Sequence, residues 1–324
     1  MRILITGATG LVGNNVLRTL LHQQQHSVRL LVRNPHDPAL QGLDVEKITG
    51  DVRDPAAVRQ AVAGCGAVIH CAGVVTLGWT RLAEDREINV GGTQHVINAA
   101  LDHGARLVHI SSINTLGIGR RDLPSNEETP HDGQVACTYV ITKREGEAAV
   151  DAAVKQGLDA VVIHPGFMLG PWDWKPSSAK MFVAVAKTWT PLAPTGGCSV
   201  CDVRDVAQAI ITAAERAPQG RHYILAGENI SYFDLWRKMA IVANSSPPRW
   251  RLGPVNRFIG GVAGDLVALV TRREREVNSA SIAMSCQWHY YASDRAEQDL
   301  GYRFRAIDET LADTWSWLLE HGYV

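Results

Sequence analysis

The sequence predicts an α/β fold: a doubly wound parallel sheet carrying a smaller, discontinuous and mostly helical C-terminal lobe. Three observations predict it. Through the first half of the chain, short apolar runs alternate with apolar residues at helical spacing. That rhythm gives parallel strands covered by helices on both faces. Glycines at spacing three follow the first apolar run, where a strand must turn into a helix. The 324 residues also exceed one domain at about 150 residues each, and the rhythm breaks after Pro165.

Each element has its own signal. Arg2 to Thr6 reads as a buried strand, and Val12, Val16, Leu17, Leu20 and Leu21 follow at helical spacing. Val28 to Val32 and Val45 to Thr49 are the next strands. Asp54 caps a helix that carries Pro55 in its first turn, the position that tolerates proline best. Ala67 to Cys71 is a strand, and Glu84 to His103 is a helix ended by Gly104. Arg106 to Ile110 is a strand, Thr138 to Gln156 a helix ended by Gly157, and Asp159 to His164 a strand. Beyond Pro165, the stretch from Gly170 to Pro176 is loop-like and aromatic. Val200 to Ala214 is a strand end leading into a helix, Tyr223 to Ala226 is a strand, and the tail from Ile230 is mostly helical. The dinucleotide-type unit is therefore expected over 1–165 plus about 199–227, and the lobe over about 166–198 plus 228–324.

Composition narrows the function classes. Lys plus Arg total 32 against 33 Asp plus Glu, so no charge excess favours nucleic acid. No run of 18 apolar residues suggests a membrane span, and the N-terminal apolar run is too short for a signal peptide. Six cysteines in this length make no disulfide framework, and Cys198 with Cys201 form a single CxxC best read as small residues on a strand. The expected setting is reducing and cytoplasmic. The 12 histidines show no metal-ligand spacing such as HExxH, so no metal is predicted.

Thr6-Gly7-Ala8-Thr9-Gly10-Leu11-Val12-Gly13 sits between the first strand and the first helix. Its glycines permit a tight turn and close approach of backbone to a pyrophosphate, which the helix N-terminus then attracts. This is the signature of a Rossmann dinucleotide site. Where an acidic residue would bind the ribose 2′-hydroxyl of NAD, the second strand ends in Arg33. A guanidinium there pairs with a 2′-phosphate, so NADP is expected as the preferred cofactor, with NAD as the alternative.

Tyr139 and Lys143 stand at i, i+4 on one face of a helix. An ammonium beside a phenol favours the phenolate, which suits acid–base work on an alcohol or carbonyl. Ser111-Ser112 ends the fifth strand, at the edge of a parallel sheet where ligands bind.

With these motifs the sequence resembles the extended short-chain dehydrogenase/reductase (NAD-dependent epimerase/dehydratase) family. The resemblance runs in order through Thr6 to Gly13, Asp51-Val52, His70 to Gly73, Asn89 to Thr93, Ser111-Ser112, Tyr139 to Lys143, His164-Pro165-Gly166 and Gly170-Pro171. It continues into the C-terminal segments Asp202 to Ala207, Tyr223 to Gly227 and Leu300 to Tyr302. Within the family the chain is most like the dihydroflavonol-reductase-like and hopanoid-associated sugar epimerase branch. The resemblance implies Tyr139 as acid/base, Lys143 as the residue that lowers its pKa and holds the nicotinamide ribose, and Ser112 as the hydrogen-bond donor to the reacting oxygen, ahead of Ser111. It further implies that Asp51 and Val52 contact adenine, that Ala72 and Gly73 line the cofactor path, that Asn89 supports the active-site region, and that Pro165 and Gly166, with Met168 nearby, abut the nicotinamide. Relatives often dimerise through two helices, here 84–103 and 138–156. His164 stands where relatives often carry Asn or Arg.

Trp79, Met168, Trp172, Trp174, Phe182 and Trp189 gather around the expected crevice or its lid and would suit an apolar or aromatic small molecule. Lys175 and Arg204 could instead bind a nucleotide diphosphate. Ile259 to Val270, followed by Arg272-Arg273-Glu274-Arg275, is a candidate for peripheral membrane contact. The expected activity is NADP-dependent interconversion of a carbonyl and an alcohol. The alternatives are a nucleotide-sugar epimerase that retains NAD and a non-catalytic NAD(P)-sensing or scaffold protein.

Overall fold

A computed structural model describes residues 1–188, 190–271 and 276–324; Trp189 and residues 272–275 lie outside the described residues. Alternation along β1 (Arg2–Thr6) explains the layered core. Ile3 and Ile5 point to one side and join Val16, Leu17 and Leu20 of α1 (Leu11–Gln23). Leu4 points to the other side and packs near Val58, Val68 and Val96. β2 (Ser27–Val32), β3 (Glu46–Thr49) and β4 (Ala67–His70) follow, with α2 (Pro55–Val62) between the last two. Asp54 caps α2 by accepting the Ala56 N–H, as the Asp-Pro pair predicts.

The stretch expected as one helix from Glu84 to His103 is divided: α3 (Leu82–Arg86), a π turn over Glu87–Gly91, then α4 (Gly92–His103). Gly104 terminates it at φ 61°, in the left-handed region. β5 (Arg106–Ile110), α5 (Thr138–Val154) and β6 (Ala160–Pro165) complete the predicted alternation.

β7 (Phe167–Leu169), α6 (Ala179–Lys187), β8 (Leu192–Ala193) and β9 (Gly197–Asp202) follow, then α7 (Val203–Arg216) and β10 (His222–Leu225). The tail contains β11 (Glu228–Ser231), α8 (Tyr232–Val242), β12 (Trp250–Arg251), α9 (Pro254–Thr271), α10 (Ser279–Ser285), β13 (Trp288–His289), α11 (Asp294–Leu300) and α12 (Ile307–Glu320). The main sheet has seven parallel strands in the order β10-β6-β5-β4-β1-β2-β3. A second sheet, β11-β9-β13 with β7 also on β9, carries the lobe. Residues 197–202 thus pair inside the second sheet, while α7 and β10 return to the first.

Strand order reverses at β1, which pairs β2 on one side and β4 on the other. Ligands bind above such a reversal, at the carboxyl ends of the strands. Among the described residues no helix is long and apolar enough to cross a membrane.

Candidate active site

At the end of β1 the backbone passes very close to its neighbours. Gly7 has φ +72°, and a Cβ there would lie 2.6 Å from the Ala72 nitrogen. A Cβ on Gly13 would lie 2.4 Å from the Gly7 oxygen. Gly10 differs: its nearest neighbour would be 3.5 Å away, so that face is open. Gly10 is also the N-cap of α1, with no side-chain cap and no acidic residue in the first turn. The helix end therefore keeps donors and a positive dipole for an anion, in a cradle shaped for a dinucleotide pyrophosphate. Asn14, which sequence reasoning did not single out, staples the loop by donating to Ala8 O at 3.0 Å and Ala39 O at 3.1 Å.

Arg33 is exposed at the end of β2, and its charge helps hold Asp51 below the usual carboxylate range. The main cause is Arg53, which donates to both Asp51 oxygens at 3.0 and 2.9 Å. Sequence reasoning missed Arg53, although the Asp-x-Arg spacing was readable. Val52 is buried under Gly92, and its carbonyl lies 2.9 Å from His95 Nδ1.

Ser112, Tyr139 and Lys143 come together at the carboxyl end of β5. The Ser112 side chain is hydrogen-bonded to the Tyr139 phenol, which favours phenolate, but burial is the larger effect and raises the Tyr139 pKa. The Lys143 ammonium donates to Ile110 O at 2.8 Å, and burial pushes it down to about 8. The lowering of the phenol expected from its lysine neighbour is not what sets it: burial raises the Tyr139 pKa, and the opposing effect comes from Ser112. Asn89 faces the same space: its amide donates to Val74 O and Thr142 Oγ1, each at 3.0 Å, and its carbonyl accepts Val74 N–H at 2.8 Å. A Cβ on Gly73 would stand 3.1 Å from Asn89 Oδ1 and 3.5 Å from Lys143 Nζ, so Gly73, Asn89 and Lys143 share one wall. Ser111 points the other way and donates to Glu147 Oε2 at 2.6 Å.

The lobe closes over this site. Tyr139 packs with Ala280 and Met284 of α10 and with Leu77, and the Asn278 amide donates to Leu77 O at 2.6 Å. Trp79, 48% exposed, donates to Ser279 Oγ at 2.9 Å. Pro165 ends β6, and Gly166 packs so that a Cβ would lie 2.6 Å from Ser199 O. Met168, on β7, is paired with Cys201 and packed on the sheet core.

The other substrate candidates are engaged elsewhere. Phe182 is fully buried in the lobe core, stacked on Trp315 at 5.4 Å. Trp172 carries Arg18 over its ring at 4.7 Å, and Trp174 packs edge-on against Trp317. Lys175 pairs with Asp37 at 2.8 Å. Arg204 is clamped by Asp202 at 2.7 Å and Asp313 at 2.6 Å. Trp189 lies outside the described residues, as do residues 272–275. A cleft of about 380 Å³ lined by Lys180, Lys187, Glu276 and Tyr323 touches none of the Ser112–Tyr139–Lys143 group, so the chemistry is assigned to the crevice.

Comparison with known proteins bears on the family and the fold. A family model described as the NAD dependent epimerase/dehydratase family matches residues 3–226. The chain is 30% identical to a "Putative dihydroflavonol 4-reductase" of Synechocystis sp., over 99% of this chain and 95% of that protein. It is 28% identical, over the full length of both, to "Sterol demethylase protein B" of Methylococcus capsulatus. The crystal structure of gox2253 superposes with a TM-score of 0.86 at 31% identity, covering 99% of this chain and 98% of that one.

Proposed function

This chain belongs to the NAD dependent epimerase/dehydratase family, and we propose that within it the protein is an NADP-dependent reductase that interconverts a carbonyl and an alcohol on an apolar substrate. The observation that carries this reading is the meeting of Ser112, Tyr139 and Lys143 beneath the apolar cover of Ala280 and Met284. Tyr139 gives its proton to the carbonyl oxygen, and the Ser112 hydroxyl holds that oxygen and the phenol in line. Burial keeps the phenol protonated until the transfer, while the Lys143 ammonium places a positive charge one helical turn behind it. When bound, the dinucleotide supplies the hydride.

The cradle at Gly7, Thr9, Gly10, Leu11, Val12 and Gly13 would hold the pyrophosphate. Asp51 and Val52 would meet the adenosine. Ala72, Gly73, Asn89 and Lys143 would flank the nicotinamide half, with Pro165, Gly166 and Met168 at its end. Two facts support NADP. Arg33 is exposed where a 2′-phosphate would lie, and Asp51 is neutralised by the Arg53 fork, which removes its repulsion of that phosphate.

Lys175 and Arg204, the cations available to a nucleotide diphosphate, are already paired with Asp37 and with Asp202 and Asp313. That supports an apolar substrate over a nucleotide sugar. α9 exposes Phe258, Ile259, Leu266, Leu269 and Val270, a face suited to collecting such a substrate from a lipid surface. A homodimer through α4 and α5 belongs to the same reading.

The test is a carbonyl panel with NADPH and NADH. Consumption of exchangeable NADPH, with preference moved toward NADH in Arg33→Asp, is the expected result. Tightly retained NAD with no net consumption would replace this reading with an epimerase. Dinucleotide binding without turnover of any carbonyl would replace it with a sensor.

A further inference from the structure

Behind the catalytic serine, three side chains from three elements converge. Glu147 lies one turn after Lys143 on α5, His164 lies near the end of β6, and His222 begins β10. Glu147 and His164 are buried and His222 is partly buried. His164 Nε2 is 3.0 Å from His222 Nδ1, and Glu147 Oε1 is 3.7 Å from the same nitrogen.

The outer atom of each residue is held, and the holders fix the tautomers. His164 Nδ1 lies 3.2 Å from Ser112 O and 3.2 Å from Thr115 Oγ1. The Thr115 hydroxyl already donates to Ser112 O at 2.8 Å, so both neighbours can only accept, and His164 Nδ1 carries the proton. His222 Nε2 lies 2.9 Å from Asp151 Oδ1, a carboxylate, and donates to it. Ser111 Oγ occupies Glu147 Oε2. The atoms left facing one another are the lone pairs of His164 Nε2 and His222 Nδ1 beside Glu147 Oε1. Such a constellation requires a positive centre between them, a proton or a metal ion.

Its dimensions suit a metal. Ligands about 2.0–2.2 Å from a tetrahedral zinc stand roughly 3.3–3.5 Å apart; the two edges at His222 Nδ1 are 3.0 and 3.7 Å, and one ligand atom from each of the three residues lies within 4.8 Å of the others. Two nitrogens and one carboxylate oxygen are a common zinc donor set. An imidazole braced by a carboxylate or a backbone carbonyl is the usual outer support of such a site. The charges of Glu147 and Asp151 balance a divalent ion. Arg295, the cation against His222, donates to the His222 carbonyl and is paired with Glu128. We propose that Glu147, His164 and His222 form a binding site for a zinc-type divalent transition metal, tying α5 to the end of β6 and the start of β10 beneath Ser112. Local spacing gives no sign of it, because the ligands lie on separate elements.

The test uses the full chain, stripped with chelator and titrated with Co(II). The expected result is one ion per chain with the intense visible bands of a four-coordinate site, displaced by Zn(II) and accompanied by a rise in Tm. His222→Asn, on a partly exposed edge strand, should abolish the bands. Asp151→Asn should weaken affinity about 10- to 100-fold. Absence of bands at millimolar cobalt overturns the proposal, as do weak bands of a six-coordinate ion or undiminished binding in His222→Asn. If His222→Asn fails to fold by circular dichroism, Asp151→Asn decides, and unchanged affinity there overturns it.

Discussion

The end of β1 and the face of α9 are opposite solutions to packing. At the first, a methyl group added to Gly7 or Gly13 would meet backbone atoms at 2.6 or 2.4 Å, so chain geometry leaves almost no freedom. At the second, Val270 is 82% and Leu269 74% exposed, and only the opposite side of the helix packs. There Gly261 and Gly264 approach Ser279 and Val277, and Asp265 accepts Ser279 N–H at 3.1 Å. The difference separates two tasks. On the proposed function, the crevice holds one cofactor and one proton donor in fixed register, whereas the lobe meets the substrate. Rigidity therefore belongs to the chemistry and loose apolar surface to selection.

The largest effect that would break this division is at Tyr139. Tyr139→Phe removes one hydroxyl and its bond to Ser112 while the ring keeps its packing against Ala280 and Met284. Turnover should fall about 10²- to 10⁴-fold, with Tm nearly unchanged. Steady-state rates beside a thermal melt check both, and unaltered turnover removes Tyr139 from the chemistry.

Next in size is the contrast between two glycines of one loop. Gly13→Ala forces a methyl against the Gly7 carbonyl and should cost about 1–3 kcal/mol of stability. Gly10→Ala meets nothing closer than 3.5 Å, so its stability should hold while dinucleotide affinity drops. Equal melting temperatures for the two variants would show that the loop is not the rigid element described.

Lys143 sharpens the comparison through pH. Burial lowers its pKa from 10.5 to about 8. Below about pH 8 both the folded and unfolded chains carry the ammonium, and the folded state bears the cost of burying it. Between about 8 and 10.5 the unfolded chain holds the extra proton, so this residue's contribution to stability rises with pH. Activity should run the other way, falling as the ammonium is lost. Lys143→Met should abolish turnover and flatten that part of the pH–stability curve, and parallel curves for the two proteins would sink the assignment.

Legibility from sequence followed the same division. The Gly104 stop, the Asp54-Pro55 start and the glycine loop are local signals, and each lies in the structure where the sequence places it. The π turn at Glu87–Gly91 was not readable, because apolar spacing there still fits an α-helix. What selects the turn is remote: Asn89 must reach Val74 and Thr142. The second sheet escaped notice because β13 has two residues, too few to show alternation. Phe182 and Arg204 read as ligand contacts only because their partners Trp315, Asp202 and Asp313 are brought in by folding.

The smallest expected change in stability is on α9. Val255, Phe258, Ile259, Val262, Leu266, Leu269 and Val270 recur along α9 mostly at three- and four-residue steps and form one exposed stripe. Leu269→Glu and Val270→Glu touch no packed neighbour of the core, so Tm should move by no more than about 0.5 kcal/mol in equivalent free energy. A helix that collects substrate from lipid would nonetheless lose its purpose, because a carboxylate resists entry into the acyl boundary. Vesicle co-sedimentation should fall in both variants, and KM for a vesicle-borne carbonyl should rise, while kcat with a water-soluble carbonyl stays constant. Undiminished vesicle binding by the double variant would assign the stripe to another partner and leave the crevice alone responsible for choosing the substrate.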